Sequence, residues 1–527
     1  MHNNFLSRRR FLKTSTYALT GYTLSSSFGV LRSWATKSNF IPAIIIGSGF
    51  GGSVTALRLA QAGIHCLVLE RGRRWPITPA QNTFATLRAP DGRSSWLSSF
   101  AVFGEPVPIN VYTGVLELLQ EDGVNVYAGA GVGGGSLVYN GVTYQPTRTN
   151  FERIFPKQIP YAEMDKVYYS KVRSMLKPSP IPLDILGTEY YRLARITLEQ
   201  AANAGLVGKR VDVNLDWNVI RQEIAGERVA SAIAGEFWYG NNSGCKNSLD
   251  TNYLSQAEQS GFAQILPLHV VTDIYEVPKQ GYTVVCNEID EQGQILQTRT
   301  FFTKSVFLAA GSMGTTKLLV KAKAKGNLNR LNDNIGKYWG ANGDTFGLRV
   351  GLPPTNPSQG GPASIAIEDH SNPLGPTALL TYPQWNETRE GSLYHLGLGI
   401  GPALGNFRYD SSTDSVKLTW PKDNLEIVQV RQAAERTCAT LNQGNITSEY
   451  QPSTAYVADG GTAHPLGGAV LGKACDYYGR VKGYKGLYVV DGALIPGAVG
   501  AVNPSFTIAA LAERCLEKVI QESDFDN

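Results

Sequence analysis

The hydrophobic pattern of this chain begins, after a basic leader, with an unbroken apolar run from Ile41 to Ile46, which predicts a strand buried on both faces of a parallel sheet. Gly52 to Ala62 places Val54, Leu57 and Leu59 among its apolar positions and reads as a helix, and Ile64 to Leu69 reads as the next strand. Val306-Phe-Leu-Ala-Ala-Gly311 and Leu487-Tyr-Val-Val-Asp-Gly492 repeat the buried-strand pattern, each running out into small residues. Ser392-Leu-Tyr-His-Leu-Gly-Leu398 and Ser415-Val-Lys-Leu-Thr-Trp420 alternate instead, as strands of an antiparallel sheet do. Near the end, Asn503-Pro504 precedes a stripe of Phe506, Ile508, Ala512, Cys515, Leu516 and Val519, predicting a helix with asparagine at the N-cap and proline in the first turn. No internal repeat or long low-complexity linker interrupts these segments.

The glycines between the elements give the pattern a chemistry. Gly47-Ser-Gly-Phe-Gly-Gly52, with Phe50 and Gly51 in its turn, joins a strand to a helix. Gly47 allows the tight turn, Gly49 lets the backbone approach a pyrophosphate, and Gly52 allows close helix–strand packing. The helix N-terminus then offers free N–H groups and a partial positive charge to the phosphates. Glu70 closes the second strand, where a carboxylate accepts hydrogen bonds from ribose hydroxyls and disfavours a 2′-phosphate. On its own such a run could be an ordinary strand-to-helix turn; strand, helix and terminal acid together argue for a dinucleotide. Gly129-Ala-Gly-Val-Gly-Gly-Gly-Ser136, which includes Gly133 and Gly134, is either a second backbone contact to the cofactor or a structural bend. With Ala309-Ala-Gly-Ser312, His464-Pro-Leu-Gly-Gly468 and Asn503-Pro504, these stretches make joint sense if they close around one flavin dinucleotide.

Of the six histidines, His65 and His269 sit in apolar strand-like runs and read as structural. His464 differs, because Pro465 restricts it to an extended backbone. An imidazole fixed there can take the hydroxyl proton of an alcohol while a hydride leaves the carbinol carbon for flavin N5. The Asn503 amide either caps its helix or touches substrate, and the helix N-terminus could stabilise a reduced flavin anion.

Composition narrows the class. A length of 527 residues with 43% hydrophobic content exceeds what one core usually serves, so two domains are expected. The six cysteines are dispersed without a CxxC pair, which indicates neither a zinc site nor a thioredoxin-like centre; they read as buried thiols, with pairing as the alternative in an exported protein. Residues 1–37 carry six basic residues and no acid, so the +4 of the whole chain falls to −2 for the remainder. Nothing in that favours nucleic acid or an anionic membrane surface. Ser7-Arg-Arg-Arg-Phe-Leu-Lys13 resembles a twin-arginine export signal, giving a signal peptide over 1–36 with a small-residue site at Ser33-Trp34-Ala35. The alternative, a permanent anchor, is disfavoured by eight Ser or Thr among the eighteen residues Thr14 to Leu31. Export to the periplasm or medium is expected.

Tyr239-Gly-Asn-Asn242, Ser248-Leu-Asp250, Val132-Gly-Gly-Gly-Ser-Leu-Val138, and His464-Pro-Leu-Gly-Gly through Asp491-Gly-Ala-Leu-Ile-Pro-Gly497 carry a resemblance to the glucose–methanol–choline (GMC) flavoprotein oxidoreductases, and among them to bacterial cholesterol oxidases with noncovalent FAD. The resemblance implies an α/β (α+β) fold: a Rossmann-type FAD domain over 40–160, 243–336 and 456–522, and a substrate domain on an antiparallel sheet over 161–242 and 337–455. It implies FAD held by Gly47, Gly49, Phe50, Gly51, Gly52, Glu70, Gly133, Gly134, Ser136, Val271, Gly311, Asp491, Gly492, Asn503 and Pro504. His464 and Asn503 then position a secondary alcohol, such as the 3β-hydroxyl of a sterol, with dioxygen or another acceptor taking the electrons from a monomer that touches membrane at most transiently. It also implies a mobile substrate-access loop from Ile77 to Trp96, with Arg88 and Arg93. Counting back from Ser392 puts Leu379 where that family has the glutamate of steroid isomerisation, so oxidation without efficient isomerisation is expected. Ala501 lengthens the loop before Asn503 by one residue. A relative using a quinone or protein acceptor, and a lipid-binding flavoprotein without catalysis, are the alternatives.

Overall fold

The computed structural model describes residues 40–103, 107–355, 359–361, 364–382, 391–445, 447 and 449–522. The segment 1–36 read as an export signal, and Trp385, Glu387 and Glu390, lie outside the described residues.

The apolar runs become the centre of a seven-stranded sheet. Phe40–Ile46 lies between Cys66–Leu69 and the end of the long strand Ile295–Leu308, parallel to both. Ala263–Leu266 extends the parallel set beyond Cys66–Leu69, and Leu487–Val489 pairs in parallel with Val306 to Leu308. His269–Val277 and Gly281–Ile289 add an antiparallel edge to the first half of Ile295–Leu308. Every residue of Cys66–Leu69 and of Leu487–Val489 is buried, which explains why these strands read as continuous apolar runs rather than alternations. The helix Phe50–Gln61 packs on this sheet beside the C-terminal helix Ser505–Glu522, where Arg58 and the buried Glu513 pair at 2.6 Å. Gly51 decides how closely: a Cβ there would lie 2.0 Å from the Val490 carbonyl oxygen.

A six-stranded antiparallel sheet forms the second layer system, in the order Ser453–Ala458, Thr345–Val350, Leu393–Leu398, Thr377–Tyr382, Ile365–Asp369, Val207–Arg210. One face meets the helices Arg192–Asn203 and Leu425–Gln443; Arg349, fully buried, crosses to Gln200 and Asn442 there. The opposite face carries Phe346 and Leu396, paired across two strands. Leu393–Leu398 is the alternating strand read from Ser392 onward. Ser415–Thr419 is a strand too, but it forms a separate hairpin with Asn406–Asp410 rather than joining the sheet. Its Trp420 leaves in the direction of Trp339, with the two rings edge to face at 5.2 Å. All six cysteines are buried free thiols.

Candidate active site

A cavity of about 610 Å³ opens at the C-terminal ends of four parallel strands, past Ile46, Leu69, Ala309 and Asp491. This is where an open α/β sheet binds ligands, because the loops diverge to either side there. The two glycine runs form its floor, joined by Ser48. The Ser48 hydroxyl donates to Glu70 Oε2 at 2.6 Å and accepts from Gly133 N at 3.0 Å. Glu70 also accepts Ser48 N at 3.0 Å and Gly72 N at 2.8 Å, and burial pushes its carboxyl above the usual range. The acid read as a ribose ligand thus also ties the first turn to the second strand.

Three helices begin on the cavity wall, at Phe50, Gly311 and Ser505. Gly49 offers no side-chain cap to its helix, so the first-turn N–H groups there stay available to an anion, whereas at the start of Gly311–Ala324 Ala310 N donates to Thr315 Oγ1 at 3.1 Å and Gly311 N–H faces the Asp491 carboxylate. Side chains at Gly49, Gly135 and Gly311 would meet no protein atom within 4 Å, leaving a cradle free of side chains. Asp491 accepts from Thr315 Oγ1 and from Ala493 N, and burial pushes its carboxyl up to about 6. Three positive helix ends, an open glycine floor and a terminal acid fit a dinucleotide pyrophosphate and its ribose.

His464 lies between two short strands. Gly461–Thr462 pairs with Val124–Gly129, and Leu466–Gly468 pairs with Lys337–Gly340. The Gly467 carbonyl accepts from Ser312 Oγ at 2.8 Å, which docks the turn on the helix Gly311–Ala324. His464 Nδ1 is 2.8 Å from the fully buried Asp344 Oδ1, and Nε2 is 3.2 Å from Asn503 Nδ2. Asn503 Oδ1 is buried without a partner. The amide therefore does not cap the helix, which starts at Ser505 with Ile508 N bonding to Pro504 O. The loop before Asn503 turns at Ala501, buried with φ +60°, while Asn342 Nδ2 holds the Val502 carbonyl at 2.9 Å and Asn342 Oδ1 accepts Val499 N at 3.1 Å.

The structure brings Gly47, Gly49, Phe50, Gly51, Glu70, Gly134, Val271, Gly311, His464, Asp491, Gly492, Asn503 and Pro504 to this one cavity. Gly52, Gly133 and Ser136 are not on its wall. A Cβ on Gly52 would strike the Gly47 carbonyl oxygen at 2.1 Å, and Ser136 Oγ bonds Gly133 O and Leu249 N, so all three shape the loops from behind. His269 lines the cavity yet is held by Pro267 O and Arg299, consistent with a structural ring. Leu379 is a correction: its Cδ2 is 3.4 Å from a Cβ built on Gly397, a position that also meets Ala434 of the helix Leu425–Gln443, so Leu379 points away from the cavity face. The segment Ile77–Trp96 contributes nothing to the wall. Asn242 holds Phe84 through both its N–H and its carbonyl, and Tyr239 does the same for Phe103, which gives the Tyr239-to-Asn242 motif its job. Sequence reasoning missed Ser48, Asp344, Asn342 and the wall residues Trp238, Phe346, Leu396 and Val416. Ser48 lay inside a recognised motif; the others carried no signal in spacing.

The chain matches the GMC oxidoreductase family, in its N-terminal part over residues 41–337 and in its C-terminal part over 404–512, and belongs to that family. The N-terminal part is the family's FAD-binding domain, and FAD is the cofactor. A cholesterol oxidase of Mycobacterium tuberculosis is 28% identical over 545 residues, covering 89% of each chain. A cholesterol oxidase of Acinetobacter baumannii is 25% identical over 552 residues, covering 90% of this chain and 94% of that one. In fold, the chain is similar to pyridoxine 4-oxidase from Mesorbium loti (TM-score 0.63, 15% identity, 92% and 100% coverage) and to a fungal aryl-alcohol oxidase (TM-score 0.62, 13% identity, 92% and 99% coverage). The protein is thus an FAD-dependent oxidoreductase acting on an organic small molecule.

Proposed function

We propose that the protein oxidises a secondary alcohol on an apolar, sterol-like body to the ketone, with dioxygen as the final acceptor. The observation that carries this reading is the pairing of His464 Nε2 with Asn503 at 3.2 Å on the cavity wall, beside an Asn503 oxygen that has no partner. FAD, when bound, supplies the acceptor for the hydride that leaves the carbinol carbon. His464 Nε2 accepts the hydroxyl proton, and the Asn503 amide donates to the same oxygen and fixes its orientation. Phe346, Leu396, Val416, Leu119 and Trp238 provide an apolar wall that excludes water from the reacting bond and suits a hydrocarbon skeleton. The similarity to two cholesterol oxidases over about nine-tenths of the chain supports the sterol.

Among the described wall residues the carboxylates are Glu70, Glu117 and Asp491. Each already accepts hydrogen bonds from the protein, Glu117 from Arg71. All three are thus held by protein donors, an arrangement that supports oxidation without efficient isomerisation. The roles given to the glycines, Glu70, Val271 and Asp491 toward FAD, the division into an FAD domain and a substrate domain, export by the twin-arginine route and a monomeric state belong to the same proposal. Anaerobic addition of cholesterol and of simpler secondary alcohols to the holoenzyme tests it. Flavin bleaching by the sterol, peroxide formation on admitting air and little conjugated enone are expected. A flavin that stays oxidised with every alcohol overturns the reading.

A further inference from the structure

Asp344 ends the turn Asn342-Gly343-Asp344, between the strands Lys337–Gly340 and Thr345–Val350. Its side chain is wholly buried, and each oxygen is engaged. Oδ1 faces His464 Nδ1 at 2.8 Å, with Asn342 Nδ2 at 3.5 Å. Oδ2 accepts from Thr462 Oγ1 at 2.8 Å and from Ala463 N at 3.2 Å. A carboxylate can only accept, so the hydrogen of the neutral imidazole sits on Nδ1 and the lone pair on Nε2. Nε2 is the nitrogen turned toward Asn503 and the cavity.

The choice of an acid here calls for more than a structural hydrogen bond. A buried carboxylate is costly unless a positive charge compensates it. Among the described residues, the one ion-pair partner of Asp344 is His464, which becomes cationic only on taking a second proton. We propose that Asp344 is a positioning residue that locks His464 in the Nδ1–H form, so that Nε2 is the proton acceptor, and that offsets the charge of the imidazolium formed during oxidation. The inference rests on the reading of His464 as the base. In the step, the substrate O–H bond breaks and its proton passes to Nε2, while the carbinol C–H bond breaks with its electron pair, which reduces FAD; the alcohol is oxidised to the carbonyl compound.

The test is Asp344→Asn in the holoenzyme. Ala463 N–H can only donate, so it retains the replacement's amide oxygen and turns the NH2 group toward Nδ1, driving the imidazole hydrogen onto Nε2. Nitrogen NMR of histidine-labelled holoenzyme, with the His464 signals assigned through His464→Gln, is expected to show the Nδ1–H form in the parent and the Nε2–H form in the variant. Anaerobic flavin reduction by whichever alcohol bleaches the parent should slow by at least about 10²-fold, with the half-saturating alcohol concentration little changed. An Nε2–H form in the parent, or a variant with parental tautomer and rate, overturns the inference. The parent spectrum needs neither a folded variant nor a substrate, so it decides the tautomer even if Asp344→Asn does not fold. If no alcohol bleaches the flavin, the proposed function falls while the tautomer is still decided by that spectrum.

Discussion

Gly134 meets Gly49: a Cβ built on Gly134 would lie 2.7 Å from the Cα of Gly49, so two glycine runs far apart in the chain close on each other at the cavity floor. Gly134 also has φ +55°, in the left-handed region. Gly134→Ala is expected to cost at least about 1 kcal/mol from backbone conformation alone, with the collision added. Purified variant should contain much less flavin per chain and unfold earlier in urea. Full flavin content would show that the contact is dispensable.

Asn342 bonds both Val499 N and Val502 O, and its own φ is +57°. Asn342→Ala loses two buried hydrogen bonds and strains the turn, whereas Asn342→Gly loses the bonds but relaxes the backbone. Both should reduce turnover by misplacing Asn503, and the alanine variant should be the less stable by about 1 kcal/mol. Chemical denaturation of the two side by side measures that difference.

His464→Ala is expected to leave a yellow, folded protein whose rate of flavin reduction by alcohol falls by about 10²- to 10⁴-fold. Rapid-mixing absorbance under anaerobic conditions reads this directly. Parental rates would remove His464 from the chemistry.

Glu368 stands on the six-stranded sheet, bonded by Tyr144 and Lys209 and 3.4 Å from His370. Burial raises its carboxyl, but the nearby His370 ring together with the contacts from Lys209 and Tyr144 outweighs this and holds it down at about 2, against an ordinary 4.5. The folded state therefore binds this proton less readily than the unfolded chain. Its contribution is present above about pH 4.5 and is lost as pH falls toward about 2, with an upper limit of about 3 kcal/mol. The stability gap between parent and Glu368→Gln, followed by urea titration from pH 6 downward, should narrow across that window. A gap independent of pH would refute the pairing.

The parallel strands were legible because both of their faces are covered, which leaves continuous apolar runs at Ile41 to Ile46, Val306 to Leu308 and Leu487 to Val489. The antiparallel sheet was legible only in part. Ser415–Thr419 alternates as a sheet strand should, yet alternation records one covered face and not the partner, and its partner is Asn406–Asp410. The count from Ser392 to Leu379 failed for a related reason. Side chains on a strand change face at every residue, and Leu379 faces the helix side while its neighbour Leu380 shares a face with Leu396.

By itself the sequence determined the glycine floor, the terminal acid and the histidine held by proline, since these demands are local: a tight turn, a bare backbone and a restricted ring are written in adjacent residues. Only the tertiary structure decided what surrounds that ring. Asp344 lies 120 positions before His464 and Asn503 lies 39 after it. An isolated carboxylate or amide in the chain has no pattern to mark it, and its chemistry exists only once folding removes water and leaves it facing an imidazole.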